Sequence, residues 1–258
     1  MRSVTPKPSS RHLRPTTDHQ LLRVLLGLHC LAARPRILDA SWGHGRLWRG
    51  LPYRPVRFDV RAELDVDVAG NWRDLASIFP TASFDVVVWD PPHINDAGRN
   101  GIVGGQEWGD RYGTLSDGLR GENIAGLFPP FLEAARAILA PDGCLVAKIA
   151  DQVHCGLKQL QHVDFIVVAR ELGWTVCECE PKPRSSTLAD PKWRQQLHLR
   201  STTFWLVAHP GPTCPGSGVQ LVAICAVCGL PFRPRRSDAR THAGKCRQKA
   251  YRQRKSKR

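Results

Sequence analysis

The sequence predicts an α/β fold with a mostly parallel sheet, followed by a small C-terminal module. Three observations predict it. Short apolar runs alternate with helical stretches, the pattern of βαβ units. The run Val86-Val87-Val88 is apolar without interruption, as a strand buried on both faces requires. A segment dense in Pro and Gly, Pro210 to Gly218, then separates this body from a short basic tail.

In chain order, residues 1–17 are rich in Pro, Ser, Thr and Arg without periodicity and are expected to be disordered. A helix is predicted from Asp18, as its N-cap, to Ala33. Strands are predicted over residues 36–40, 56–60, 84–89, 144–149, 175–180 and 203–208, and helices over 124–139 and 164–172. Pro141-Asp142-Gly143 reads as a turn. Between Ile94 and Asn123 lie eight glycines and no credible element, so this insert reads as a lid or substrate loop. The expected division is a body over 18–209, a linker over 210–220 and a tail over 221–258.

A chain of 258 residues can bury one α/β core and carry an appendage. No apolar run approaches the ~18 residues of a membrane span. No signal peptide is visible either, so a cytoplasmic protein is expected. Of nine cysteines, Cys30, Cys144, Cys155, Cys177 and Cys179 sit in apolar or strand-like surroundings and read as buried free thiols. Charge is unevenly placed. From Cys225 to Arg258 there are twelve Lys or Arg against Asp238 alone, which is +11 of the total +14. A basic tail on a near-neutral body points to a polyanion, nucleic acid being the commonest.

Ile37-Leu38-Asp39-Ala40-Ser41-Trp42-Gly43-His44-Gly45 is a strand running into an acid and a Gly-x-Gly turn. Gly43 and Gly45 let the backbone bend sharply and approach a ligand, with Trp42 between strand and turn. Trp48 stands where a dinucleotide fingerprint has its third glycine, which weakens a pyrophosphate ligand and favours S-adenosylmethionine, a nucleoside without phosphate. Asp59 ends the next strand, where an acid can accept hydrogen bonds from ribose hydroxyls.

The most informative segment is Phe84 to Trp89 followed by Asp90-Pro91-Pro92-His93. The apolar run delivers Asp90 to the carboxyl end of a central strand, where open α/β sheets place their sites. Two prolines cannot donate hydrogen bonds and keep the chain extended. With the Asp90 carboxylate they line an acceptor-only pocket that suits an –NH₂ group. Accepting that group's protons, at Asp90 and the Pro91 carbonyl, frees the nitrogen lone pair for attack on a methyl group. A planar residue at position 93 can stack on an extruded base.

The order Asp39…Gly43-x-Gly45, Asp59, Asp90-Pro91-Pro92-His93 resembles class I S-adenosylmethionine-dependent methyltransferases, specifically small DNA amino-methyltransferases with an Asp-Pro-Pro-His motif. The resemblance spans residues 18–209. It implies a Rossmann-like, seven-stranded sheet with a reversed last strand, S-adenosylmethionine as donor, and the N6 amine of adenine or N4 amine of cytosine as acceptor in DNA. His93 departs from the usual Tyr, Phe or Trp, and no large target-recognition domain is present. Lys182, Arg184, Lys192, Arg194 and Arg200 around Trp193 form a mix suited to phosphate and base contacts, or a solvated basic hairpin. Lys148, Asp151 and His154 are expected near the same crevice without assigned roles.

In the tail, Cys225-x-x-Cys228 is followed by His242 and Cys246 at the spacing of a tetrahedral structural zinc site. So small a module cannot fold on apolar burial alone, so metal is expected to order it. An RNA base or a protein glutamine as acceptor, and a catalytically silent DNA-binding regulator, are the competing readings.

Overall fold

The computed structural model describes residues 17–30, 32–91, 124–154, 157–183 and 202–212, together with 223–224, 231–232, 246 and 248 of the tail. Pro92, His93, the glycine-rich insert, the basic stretch around Trp193 apart from Lys182, and the tail residues Cys225, Cys228 and His242 lie outside the described residues.

The first helix, α1 (Asp18–His29), is capped by Thr17 rather than Asp18. The Thr17 hydroxyl accepts from the Gln20 N–H, while the Gln20 side chain accepts from the Thr17 N–H. This reciprocal box is worth about 1 kcal/mol and leaves the Asp18 carboxylate for other partners. The strands follow: β1 (Ile37–Asp39), β2 (Val56–Asp59), β3 (Val68–Ala69), then the short helix α2 (Leu75–Ile78) and β4 (Phe84–Trp89). After helix α3 (Phe128–Ile138) come β5 (Leu139–Ala150), the antiparallel pair β6 (Gln152–His154) and β7 (Leu157–Gln159), helix α4 (Gln161–Glu171), β8 (Trp174–Pro183) and β9 (Thr202–Pro210).

Seven strands form one mixed sheet in the order β3-β2-β1-β4-β5-β9-β8. The strands from β3 to β5 are all parallel, and β9 runs antiparallel between β5 and β8. The reversed last strand is the arrangement expected from the resemblance. The chain leaves β1 in opposite directions, toward β2 on one side and β4 on the other, so the switch point lies between β1 and β4. The expected turn at Pro141-Asp142-Gly143 falls inside β5 as an irregularity, where the register jumps from Phe84↔Leu139 to Val86↔Cys144. Gly143 is required there, because a Cβ would come within 2.9 Å of the Ala140 carbonyl oxygen and 3.1 Å of that of Asp85.

Burial on both faces follows from alternation along the strands. Val87 and Trp89 join Phe128, Phe131 and Phe165 under α3 and α4, with Trp89 stacked on Phe131 at 3.8 Å between ring centroids. Val86 and Val88 point the other way, onto Leu21, Leu22, Leu25 and Leu26 of α1. The thiols divide. Cys144 is buried and Cys30 half-buried, but Cys179 is exposed and Cys177 is disulfide-bonded, contrary to the expectation of free buried thiols. No helix among the described residues is long and apolar enough to cross a membrane. In the tail, β10 (Ala223–Ile224) pairs antiparallel with β11 (Pro231–Phe232).

At the amino end of the parallel strands, His209 is buried, with Nδ1 3.0 Å from the Gly143 carbonyl oxygen and its ring 6.0 Å from that of His29. Burial first, then the neighbouring His29, push its imidazole down to about 4, against the Gly143 hydrogen bond and Asp142. The unfolded chain therefore binds the proton before the folded one does. Stability present above about pH 6.5 is lost as pH falls toward 4, by about 3 kcal/mol. His209→Asn keeps a donor for Gly143 but cannot titrate. Compared with the wild-type chain at each pH in urea unfolding, it should gain relative stability of about 2–3 kcal/mol between pH 7 and pH 4. A difference independent of pH would contradict this account of His209.

Candidate active site

The carboxyl ends of β1, β2, β4 and β5 converge on one group of polar side chains. Asp39 ends β1 and is only 1% exposed. Its Oδ2 accepts the Trp48 indole N–H at 2.5 Å, and its Oδ1 accepts the Ser41 N–H at 3.0 Å and the Ser41 hydroxyl at 3.3 Å. The carboxylate thus holds the turn in place. Burial pushes the carboxyl up to about 7, against these donated hydrogen bonds and with help from the nearby Asp90 charge. A raised carboxyl carries stability that is complete below pH 3.8 and lost as pH rises through about 7.

The turn itself closes by a hydrogen bond from Gly45 N–H to the Trp42 carbonyl at 2.9 Å. Gly43 and Gly45 have φ of 55° and 63°, the left-handed region that side chains disfavour. A Cβ on Gly45 would lie 2.5 Å from Cζ2 of Trp42, so the indole packs where a side chain would be. On Gly43 the nearest atom would be 3.9 Å away, leaving that backbone open to a ligand. The segment after the turn is a single 3₁₀ turn, Arg46–Trp48, in place of a helix. Asp59 ends β2, accepts the Gly43 N–H on Oδ2 at 2.8 Å, and pairs with Arg61 through Oδ1 at 3.2 Å. Arg61 therefore lies beside the turn.

Asp90 stands one residue beyond β4. Its N–H donates to Ser41 Oγ at 2.7 Å, and its Oδ2 accepts from Lys148 Nζ at 2.9 Å. Pro91 is buried next to it. Because β5 is parallel to β4 in the register Trp89↔Ala147, Lys148 arrives beside Asp90 by strand pairing alone. Lys148 also reaches Asp18 Oδ2 at 3.3 Å, and Asp18 Oδ1 binds Lys182 Nζ at 2.5 Å.

Of the residues marked in the sequence, Asp39, Trp42, Gly43, Gly45, Asp59, Asp90 and Pro91 are brought together. Lys148 joins them, whereas Asp151 faces α4, where its Oδ1 meets His162 Nδ1 at 2.5 Å. Ser41 and Arg61 carried no sequence signal; a hydroxyl two residues after a strand-ending acid is the only trace the first could have left. Of the tail ligands only Cys246 lies among the described residues, and no group of three or more metal-binding side chains occurs among them.

No protein-family model and no curated protein matches the chain. Solved structures do. A protein of Thermus thermophilus assigned as a DNA modification methylase, in complex with S-adenosyl-L-methionine, is 19% identical over 61% of this chain and 56% of its own, with a TM-score of 0.37. The cytosine-N4-specific PvuII DNA methyltransferase is 20% identical over 56% of this chain and 49% of its own, at 0.39. The [4+2]-cyclase SpnF is 10% identical over 76% of this chain and 82% of its own, at 0.48. The chain spans about half the length of the first two.

Proposed function

We propose that this chain transfers a methyl group from S-adenosylmethionine to the exocyclic amino group of a DNA base, adenine N6 or cytosine N4. The hydrogen bond from Asp90 N–H to Ser41 Oγ carries the reading, because Ser41 also donates to Asp39. One serine therefore sets the distance between a nucleoside-binding turn and a candidate acceptor carboxylate, which is what a two-substrate transfer needs.

The residues fit a nucleoside that has no phosphate. A three-residue 3₁₀ turn provides no helix N-terminus for a pyrophosphate. The open backbone at Gly43, the indole of Trp42 and the carboxylate of Asp59 offer a surface, a ring and an acceptor for hydroxyls. When bound there, S-adenosylmethionine supplies an electrophilic methyl group. Asp90 and the Pro91 carbonyl accept the protons of the base amine and turn its nitrogen lone pair out of conjugation with the ring. Pro92 keeps this strip free of donors, and His93 is placed by the sequence to stack on the extruded base.

The basic stretch around Trp193 and the tail would hold the nucleic acid. Cys225 and Cys228 fall in the connection between β10 and β11, and with His242 and Cys246 they have the spacing of a structural zinc site. Removing zinc with a chelator should lower affinity for DNA and leave transfer to a short substrate intact; unchanged DNA affinity would remove the tail as the binding module.

Incubation of the full chain with methyl-labelled donor and DNA, RNA or protein tests the proposal. Label in DNA is expected. Label only in RNA or protein would move the acceptor class, and absence of donor binding by calorimetry would favour a silent DNA-binding regulator.

A further inference from the structure

We propose that Lys148 is a positioning residue for the Asp90 carboxylate, held in place by Asp18 and Lys182; this rests on the acceptor role given to Asp90 above. Four charges alternate across four elements. Asp90 follows β4, Lys148 lies in β5, Asp18 opens α1 and Lys182 lies near the end of β8. The Lys148 side chain is 16% exposed and its ammonium sits 5.9 Å from the Trp205 ring, so it is largely removed from water. Burial works against its charge, but Asp90 and Asp18 outweigh burial and raise its pKa. At Asp18 burial is likewise outweighed, by Lys148 and Lys182, and the carboxyl is lowered.

Two consequences follow for Asp90. Its Oδ2 is pinned by a side chain that is itself pinned, so the carboxylate plane cannot rotate freely toward or away from an incoming amine. Its negative charge is also balanced locally, although Asp39 lies behind it through Ser41. Among the described residues, the charges that face Asp90 include one cation from β5, one acid from β1 and, beyond the cation, the Asp18–Lys182 pair. An exposed pair would be screened and worth little. Here the shielding makes the Lys148 charge felt.

The test uses the full chain with Lys148→Met, which keeps side-chain length without charge, Lys148→Arg, and Asp18→Asn. The Asp90 carboxyl is followed by carbon-13 NMR, assigned with Asp90→Asn, independently of turnover. Lys148→Met should raise the Asp90 midpoint by about one pH unit or more, since an opposite charge at this range shifts a carboxyl by that order. Asp18→Asn removes the competing acid from Lys148 and should move the midpoint down. Opposite directions are not expected of a merely structural role. In turnover, the acid limb of kcat should move with the NMR midpoint, kcat should fall about 10- to 100-fold in Lys148→Met, and donor KM should change little. Lys148→Arg should restore most of the limb. If Lys148→Met does not fold, the Asp18→Asn titration decides. An Asp90 midpoint unmoved in Lys148→Met or in Asp18→Asn, or a Lys148→Met defect confined to donor affinity, would overturn the proposal. If the wild-type chain methylates nothing, the reaction proposed above fails while the titrations still decide the pairing.

Discussion

Asp90→Ala should reduce methyl transfer by about three orders of magnitude or more while donor affinity stays within a few-fold. The two effects separate because Asp90 acts through different atoms. Its backbone N–H holds Ser41 and survives the substitution, so the turn at Gly43 and Gly45 keeps its support. Its carboxylate is the group that would accept a hydrogen bond and then a proton from the base amine, and removing one preorganised group aimed at developing charge, such as an oxyanion-hole donor, costs about 10²–10³-fold in kcat. Loss of the carboxylate also leaves the Lys148 ammonium in the pocket with only Asp18 of this pair, close to where a base amine would approach. A cation there discourages the tetrahedral, partly positive nitrogen of the transition state and deepens the defect. Asp90→Asn should fall between: the amide oxygen still accepts, but without charge. Single-turnover rates with saturating donor, paired with donor calorimetry, make the comparison. Equal losses in both variants with weakened donor binding would assign Asp90 to the donor instead.

Gly45→Val should have the second largest effect, an about 100-fold or greater loss of donor affinity with the sheet intact. A β-branched residue at φ 63° is strained by about 1–2 kcal/mol or more before any contact is considered. Its Cβ would then overlap the Trp42 indole, whose Cζ2 and Cη2 atoms would be 2.5 and 2.8 Å away. The indole must swing out of its place against the turn, while the Trp42 backbone stays tied through its N–H to the Phe58 carbonyl at 3.0 Å. Relief of the strained φ at residue 45 shifts the turn, and with it the Gly43 N–H that Asp59 holds at 2.8 Å. Calorimetry of donor binding reads this directly, and thermal unfolding shows whether the loss is local. An unchanged donor affinity would mean that this turn does not hold the donor.

Much of this arrangement was legible in the sequence because it is local. Residues 84–89 were read to the boundary, since a strand buried on both faces shows as an unbroken apolar run before a Pro-Pro pair. The acid ending β1 was visible because it closes a buried apolar run, and the acid ending β2 because it closes the next short strand. The two-residue strand β3 was not, because Val68-Ala69 owes its pairing to β2 and carries no pattern of its own. The cap of α1 was placed one residue late. Thr17 and Asp18 are both good caps, and the choice turns on Asp18 being drawn to Lys148 and Lys182, which are remote in the chain. Ser41 escaped for the same reason, as it meets Asp90 across 49 residues of sequence, and Lys148, expected near the crevice, had no role because its partner lies 58 residues away. Trp48 is instructive. In the sequence it marks a missing glycine, whereas in the fold its indole N–H supports Asp39, so a backbone approach has been exchanged for a side-chain hydrogen bond.

The central claim is that the amine of a base, and not a ring carbon or a ribose oxygen, receives the methyl group on the strip beginning at Asp90. The most direct measurement is to methylate DNA with the full chain and labelled donor, digest the product to nucleosides, and identify the labelled one by mass and chromatography. N6-methyladenine or N4-methylcytosine is the predicted product, and it should be absent when Asp90→Ala replaces the wild-type chain. Label in 5-methylcytosine, in the sugar, or in no nucleoside at all would contradict the account.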